Sequence, residues 1–200
     1  MFVISAGVCG FVILFLYNSA VDQQRQRLGE TAGSYSHLIQ AIAQHEQYYS
    51  EMIDPTLGHG DPETATMNQI RAAQKHASEF GRTGELLVAK LENDQIRYMI
   101  DRGGVGFHEL PPVAFKSKLG EPMRRAVSGK NGTLIGLDYR GATVLAAHEY
   151  VPELDIGVVA KIDMAEVREP FIKAALYAAM MLLLLAAVII IFKRTGSPPV

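Results

Sequence analysis

The chain has 200 residues, with 19 Lys and Arg against 21 Asp and Glu, and 48% of its residues are hydrophobic. This near-neutral charge gives no electrostatic reason to expect nucleic acid as a partner. The single cysteine, Cys9, lies in an apolar run, so disulfides do not hold the polar part of the chain together. Two apolar runs leave roughly 150 residues between them, enough for one domain with its own core.

The two apolar runs predict membrane helices over residues 1–19 and 171–192. The second contains Ala174–Phe192, nineteen residues without a charge, followed at once by Lys193 and Arg194. At about 1.5 Å per residue, such a helix just crosses about 30 Å of hydrocarbon. The first run lacks a basic start and is longer than the apolar core of a signal peptide, so we interpret it as an uncleaved span.

Residues 20–170 are predicted to form a soluble domain that begins with a stem helix over residues 21–53. Apolar or aromatic residues recur every seventh position, at Val21, Leu28, Tyr35, Ile42 and Tyr49. A second set comprises Leu38, His45 and Met52. This pattern favours a helix that packs on its own domain and also pairs with the same helix of a second subunit.

A second helix is predicted over residues 62–80, because Asp61 precedes Pro62 and Gly81 follows. A five-stranded antiparallel sheet is predicted over residues 85–162. Its strands are Glu85–Leu91, Gln95–Asp101, Thr133–Tyr139, Ala142–Tyr150 and Ile156–Ile162. Tight turns such as Asn93-Asp94 and Arg140-Gly141 require antiparallel hairpins. A long loop, Arg102–Gly120, and a short helix, Glu121–Ser128, interrupt the strands.

The predicted fold class is therefore α+β: a five-stranded antiparallel sheet with helices on one side, a long N-terminal stem helix and two flanking transmembrane helices. Four strings stand out in this frame: Gly81-x-x-Gly84-Glu85, Gly129-x-x-Gly132, Asp138-Tyr139-Arg140-Gly141, and Val159-Ala160-Lys161-Ile162-Asp163 with Glu166. In this order the chain resembles the extracytoplasmic PAS-like sensors called single Cache domains. The resemblance is imperfect at Ile156, where that family often has an aromatic residue.

The resemblance implies a sensor domain outside the cytoplasmic membrane of a bacterial receptor. It also decides the orientation, because Arg25, Arg27, Arg168 and Lys173 offset the basic pair after the second span. Residues 193–200 resemble the entry to a HAMP linker, so a cytoplasmic output domain is expected to follow. That output would be a histidine kinase, or alternatively a diguanylate or adenylate/guanylate cyclase or a chemotaxis receptor.

Candidate ligand residues are polar side chains that recur along the strands or lie near the long loop. They are Arg97, Asp101, Arg102, His108, Tyr139, Arg140, His148, Tyr150 and Lys161. Arginine, histidine and tyrosine together suit a small carboxylate. Two structural alternatives remain open: Arg97 and Asp101 form a surface pair, or Tyr139 and Arg140 fix a hairpin turn. Asp163, Glu166 and Pro170, which join the last strand to the second span, are the predicted signal-coupling residues.

No motif of an enzyme is present in these residues, and we predict no catalytic residue, no metal site and no cofactor. The sequence therefore predicts the ligand-sensing input module of a transmembrane receptor. Its expected partners are a small-molecule ligand, membrane lipid and a second copy of the chain. The alternative is a membrane-anchored accessory subunit whose soluble domain binds another protein.

Overall fold

A computed structural model describes residues 2–52, 81–100 and 110–195 of the chain. The elements in chain order are α1 (Phe2–Met52), β1 (Glu85–Glu92), β2 (Gln95–Ile100), β3 (Val113–Ala114), α2 (Glu121–Ala126), β4 (Gly132–Leu137), β5 (Thr143–Val151), β6 (Ile156–Asp163) and α3 (Met164–Thr195). The fold is α+β, as predicted. The chain divides into two compact units, Met1–Gln23 with Ala165–Val200 and Gln24–Met164. The predicted helix over residues 62–80 lies outside the described residues.

The first unit contains the apolar parts of α1 and α3. Both helices are long enough and apolar enough to cross a membrane. Their large apolar side chains are exposed, including Phe11 at 70%, Leu183 at 70% and Phe192 at 77%. A helix in the core of a soluble protein would bury these side chains against its neighbours. In this unit the ring of Tyr17 on α1 also packs edge-to-face on Phe171 of α3, with centroids 5.4 Å apart.

The second unit is built on one antiparallel sheet with the strand order β3-β2-β1-β6-β5-β4. Five strands agree with the predicted ones to within two residues at each end. The sixth, β3, lies in the segment predicted as a loop and pairs with β2 only at Gln95 and Ile96. Asn93 and Asp94 form the tight β1–β2 turn with φ angles of 50° and 58°, as their residue types favour.

The two faces of the sheet are covered by different helices. On one face α2, through Met123 and Ala126, and the following residue Val127 pack over β4, β5 and β6. Gly157 of β6 permits this close approach, because a Cβ there would lie 2.7 Å from the Cβ of Ala126. We call this side the α2 face; its buried strand residues include Leu87, Ala89, Ala146 and Val159.

The opposite face, which carries Leu86, Val88, Leu145, Val158 and Ala160, lies toward α1. The side chain of Gln40 on α1 donates to Glu153 in the β5–β6 turn. The expectation that the helices lie on one side of the sheet is therefore wrong. In β1, β5 and β6 the residues on both faces of the sheet are mostly apolar. Each face must therefore be covered by other apolar side chains.

The buried stripe of α1 also differs from the predicted seam. Val21 and Leu28 are buried as expected, and the stripe continues through Ala32, Ile39 and Ala43. Leu38, predicted in the second apolar set, is instead 42% exposed. The small alanines were not counted as seam residues, although they allow a helix to approach a sheet closely.

Candidate functional site

The site is organised around Lys161 of β6, whose side chain is only 1% exposed. Its Nζ lies 2.7 Å from Glu85 Oε2 and 2.7 Å from Asp138 Oδ2. A buried ammonium is costly unless it is paired and hydrogen-bonded, and here two carboxylates supply the pairing. Glu85 and Asp138 are themselves buried.

Sheet register and turn chemistry bring these groups together. Glu85 and Lys161 are direct cross-strand partners in the β1–β6 ladder, so their side chains share the α2 face. Asp138 follows β4, and its Oδ1 accepts hydrogen bonds from the backbone N–H groups of Arg140 and Ala142 at 2.8 and 2.9 Å. Gly141 closes this turn with a φ of 82°, a conformation that glycine adopts without strain.

Arg140 extends the cluster from the hairpin to the end of β6. Its Nε lies 2.7 Å from Asp138 Oδ2, its Nη2 lies 2.6 Å from Asp163 Oδ1, and its Nη1 lies 3.8 Å from Glu85 Oε1. We call Glu85, Asp138, Arg140, Lys161 and Asp163 the charge cluster. Its side chains link β1, the β4–β5 hairpin and β6, in addition to the backbone ladders of the sheet.

Two tyrosines border the charge cluster. The Tyr139 hydroxyl donates to Glu85 Oε2 at 3.3 Å, and its ring centroid lies 5.0 Å from Lys161 Nζ. The Tyr139 ring also packs on the ring of Tyr98 from β2, with centroids 5.4 Å apart. Cation–π attraction therefore adds to the pairing of Lys161.

The cluster shifts the protonation equilibria of its members. Burial acts to raise the pKa of Asp138, but hydrogen bonds from Lys161 and Arg140 outweigh burial and hold the pKa below its usual range. Burial, followed by the charge of Glu85, raises the pKa of Tyr139 to about 12. Near neutral pH Asp138 is therefore ionised and Tyr139 keeps its proton.

The charge cluster ends where α3 begins. Asp163 is the last residue of β6, and Met164 is the first of α3. The backbone N–H of Asp163 also donates to Thr83 Oγ1 at 3.1 Å, which connects this point to the segment just before β1. Of the other predicted coupling residues, Glu166 lies in the first turn of α3 and Pro170 lies inside the helix.

The predicted ligand residues fall into three groups. Tyr139, Arg140 and Lys161 meet, but their polar atoms are engaged by carboxylates of the same chain. Asp101, Arg102 and His108 lie outside the described residues. The remaining three, Arg97, His148 and Tyr150, stand apart from the charge cluster.

Those three residues have different surroundings. Arg97 Nε lies 3.6 Å from Glu92 Oε2, so the pairing of Arg97 seen in the structure is with Glu92. Tyr150 donates to Asp155 Oδ1 at 2.8 Å within the β5–β6 hairpin. His148 is buried on the α2 face, and its Nδ1 has no hydrogen-bond partner among the described residues. Burial, followed by the nearby Arg125, lowers the pKa of His148.

Sequence reasoning did not select Glu85 and Asp138 as site residues, although both stood in the strings that carried the family resemblance. The available signal was a charged residue inside an apolar run of each strand: Glu85 directly before Leu86–Ala89, and Lys161 between Ala160 and Ile162. Among the described residues there is no group of three or more His, Cys, Asp or Glu side chains that could hold a metal ion. Comparison of the chain with protein-family models, curated proteins and solved structures finds no match.

Proposed function

We propose that the chain is the ligand-sensing input module of a bacterial transmembrane receptor and that α3 carries its conformational change across the membrane. The observation that supports this most is the charge cluster, which binds three parts of the sheet to Asp163, the residue directly before α3. The resemblance of the strings around Glu85, Asp138 and Lys161 to single Cache sensors points to the same function.

The charge cluster suits a switch between discrete arrangements. Removing one partner from a buried ion pair costs about 3–5 kcal/mol, so intermediate arrangements with unpaired charges are disfavoured. A ligand shifts such an equilibrium only by its difference in affinity for the two states, typically about 1–3 kcal/mol. That difference in affinity is too small to break a buried ion pair. It is large enough to make hydrogen bonds around Arg140 exchange partners.

The exposed apolar surfaces of α1 and α3 support insertion into a membrane. The resemblance to single Cache sensors is the reason we propose the cytoplasmic membrane, with the sheet on the extracytoplasmic side. A second copy of the chain is the proposed partner of the stem part of α1. There Leu38 is 42% exposed, although it lies on a helix whose opposite side is buried. A homodimer would cover this side of the stem.

The proposed ligand is a small carboxylate, and the charge cluster is the coupling element rather than the binding site. Glu85 already occupies the position between Lys161, Arg140 and Tyr139 in which a ligand carboxylate would be held. The ligand therefore needs a separate pocket whose occupancy affects the cluster.

The test uses the full chain in lipid nanodiscs, with Cys9→Ser and nitroxide labels on cysteines at Ser5 and Lys193. Pulsed electron–electron double resonance spectroscopy measures the distance between the two nitroxide labels with and without each of a panel of small carboxylates. We expect at least one carboxylate to shift the distance distribution by about 1–2 Å. A matched variant with Gly-Ser-Gly-Ser inserted after Glu169 should bind the same compound without this shift. An unchanged distribution with every carboxylate that binds, or an equal shift in the insertion variant, would contradict the proposal.

A further inference from the structure

We propose that Arg168 of α3 and Tyr17 of α1 together bind the phosphate of a membrane phospholipid. The inference rests on the proposed insertion of both helices into a membrane and goes beyond it by assigning a lipid contact to two side chains. Both residues belong to the first unit, which combines Met1–Gln23 with Ala165–Val200.

Two contacts join α1 and α3 in this unit. The ring of Tyr17 packs edge-to-face on the ring of Phe171, with centroids 5.4 Å apart. The Arg168 Nε donates to the Tyr17 hydroxyl oxygen at 3.4 Å. Residues three apart in a helix are neighbours on its surface, so Arg168 and Phe171 share one side of α3. Tyr17 therefore contacts two neighbouring side chains of that side.

The ends of the two apolar runs place this contact at the surface of a membrane. Tyr17 is the last residue of the first run. At about 1.5 Å per residue, Phe171 lies about 4.5 Å and Arg168 about 9 Å ahead of Ala174, where the uncharged run of α3 begins. The headgroup layer on each side of a bilayer is about 5–8 Å thick. The contact therefore lies at headgroup depth, where tyrosine is enriched in membrane proteins.

The contact leaves hydrogen-bond donors without acceptors. Arg168 is exposed, and its bond to Tyr17 is the only one that it makes among the described residues. Its Nη1 and Nη2 groups therefore remain available as donors. The Tyr17 hydroxyl accepts from Arg168 through its oxygen, so its own proton also remains available. Donors from both helices are thus present in one place.

The acidic residues near Arg168 are engaged elsewhere. Glu169 Oε1 lies 2.7 Å from Lys173 Nζ, so these two charges balance. Asp22 and Glu166 also have interaction partners. Arg168 itself forms no ion pair within the described part of the chain. The feature that favours an anion here is the set of unused donors, and not a surplus of positive charge.

The phosphate of a phospholipid matches these donors. A guanidinium binds two phosphate oxygens at once through its paired N–H groups, and the tyrosine hydroxyl adds another donor. Ile172 and Leu176, about one and two turns after Arg168 on the same side of α3, are exposed apolar residues along which acyl chains can lie. Dissolved phosphate offers the same oxygens but no acyl chains for this surface. The occupant is therefore a lipid.

The test measures lipid binding to the full chain in dodecyl maltoside, a detergent without phosphate, by native mass spectrometry. The probe is dioleoylphosphatidylglycerol, and dioleoylglycerol is the matched lipid that lacks the phosphate. We expect phosphatidylglycerol to bind and dioleoylglycerol to bind at least ten-fold more weakly. Inorganic phosphate at the same concentration should reduce phosphatidylglycerol binding less than two-fold, because it lacks the acyl chains.

Three variants assign the binding to the two side chains. Arg168→Gln should weaken phosphatidylglycerol binding at least five-fold. Tyr17→Phe keeps the ring that packs on Phe171 and removes the hydroxyl, so it should weaken binding about two- to three-fold. Arg27→Gln is the matched control, because Arg27 is also an exposed arginine but lies about 15 Å beyond Tyr17 along α1. It should change the affinity less than two-fold.

The site would be overturned by unchanged phosphatidylglycerol binding in Arg168→Gln or Tyr17→Phe, or by an equal loss in Arg27→Gln. Equally tight binding of dioleoylglycerol, or displacement of the lipid by inorganic phosphate, would also overturn it. In each case a shift between the labels at positions 5 and 193 with a small carboxylate would leave the proposed function standing. Phosphatidylglycerol that binds through Arg168, with no such shift for any carboxylate, would leave the site standing and contradict the receptor proposal.

Discussion

Arg140 and Asp163 are 23 residues apart in sequence, and their side chains meet at 2.6 Å between Nη2 and Oδ1. Arg140 lies in the β4–β5 hairpin, and Asp163 is the residue at which the sheet ends and α3 begins. The same guanidinium holds Asp138, which holds the buried Lys161. A movement of the hairpin therefore either moves the end of β6 with it or breaks charge-assisted hydrogen bonds.

The first prediction concerns the energy of this contact. A double-mutant cycle with Arg140→Gln and Asp163→Asn should give a coupling energy of about 1 kcal/mol, because Arg140 is partly exposed and water weakens the pair. The measurement is urea unfolding of the sheet domain in the full chain in detergent. The cycle for Arg125 and Glu121, a surface pair four residues apart on α2, should give only about 0.2–0.5 kcal/mol. Equal values for the two cycles would show that Arg140 and Asp163 are an ordinary surface pair.

The second prediction concerns Lys161. Lys161→Met removes the ammonium and leaves the carboxylates of Glu85 and Asp138 facing each other in a buried site. We expect a loss of about 3–5 kcal/mol in the free energy of unfolding. Lys130→Met, at an exposed position, should change it by less than about 0.5 kcal/mol. A loss at position 161 no larger than that at position 130 would mean that the buried cluster is not formed.

The third prediction concerns pH and His148. Because the pKa of His148 is lowered in the folded state, the unfolded state binds more protons near and below the ordinary histidine pKa. Stability should therefore fall as the pH drops from 7.5 to 5.5. His148→Leu should flatten this part of the profile, and the difference between the two unfolding curves isolates the contribution of His148. A variant that loses stability as steeply as the wild type over this interval would contradict the assignment.

The fourth prediction concerns the packing of α2 on β6. Gly157→Ala introduces a Cβ that would lie 2.7 Å from the Ala126 Cβ and 3.0 Å from Met123 Sδ. Overpacking of this kind costs about 1–3 kcal/mol. Gly29→Ala is the matched control, because nothing lies within 4 Å of its added Cβ. In a helix that change should stabilise by up to about 1 kcal/mol. Opposite signs for the two substitutions in thermal or urea unfolding are the expected result.

The positions of five of the six strands could be predicted from local features of the sequence. The features that could not be predicted depend on contacts with residues far away in the chain. Turn residues such as Asn93-Asp94 and Arg140-Gly141 located the strand ends to within two residues. The strand β3 was missed because two residues beside prolines carry no alternation pattern. The packing of helices on both faces of the sheet was not predicted, because the buried stripe of α1 contains alanines that were not counted as apolar contact residues.

The candidate site shows the same division. Tyr139, Arg140 and Lys161 were selected from the sequence because their chemistry suits an anion. In the structure the carboxylate beside them belongs to Glu85. This pairing depends on the register of β1 and β6, which no short window of sequence specifies. The turn role of Asp138 was readable from its residue type, whereas its contact with Lys161 needed the hairpin and β6 to be placed side by side.

The central claim, that the charge cluster fastens the sheet to the start of α3, is tested most directly by hydrogen exchange. Backbone amides of residues 168, 169 and 171–173 are followed by mass spectrometry in the full chain in lipid nanodiscs, in wild type, Arg140→Gln and the control Arg125→Gln. We predict at least ten-fold faster exchange in Arg140→Gln and unchanged exchange in Arg125→Gln. Equal exchange in Arg140→Gln and wild type would contradict the claim.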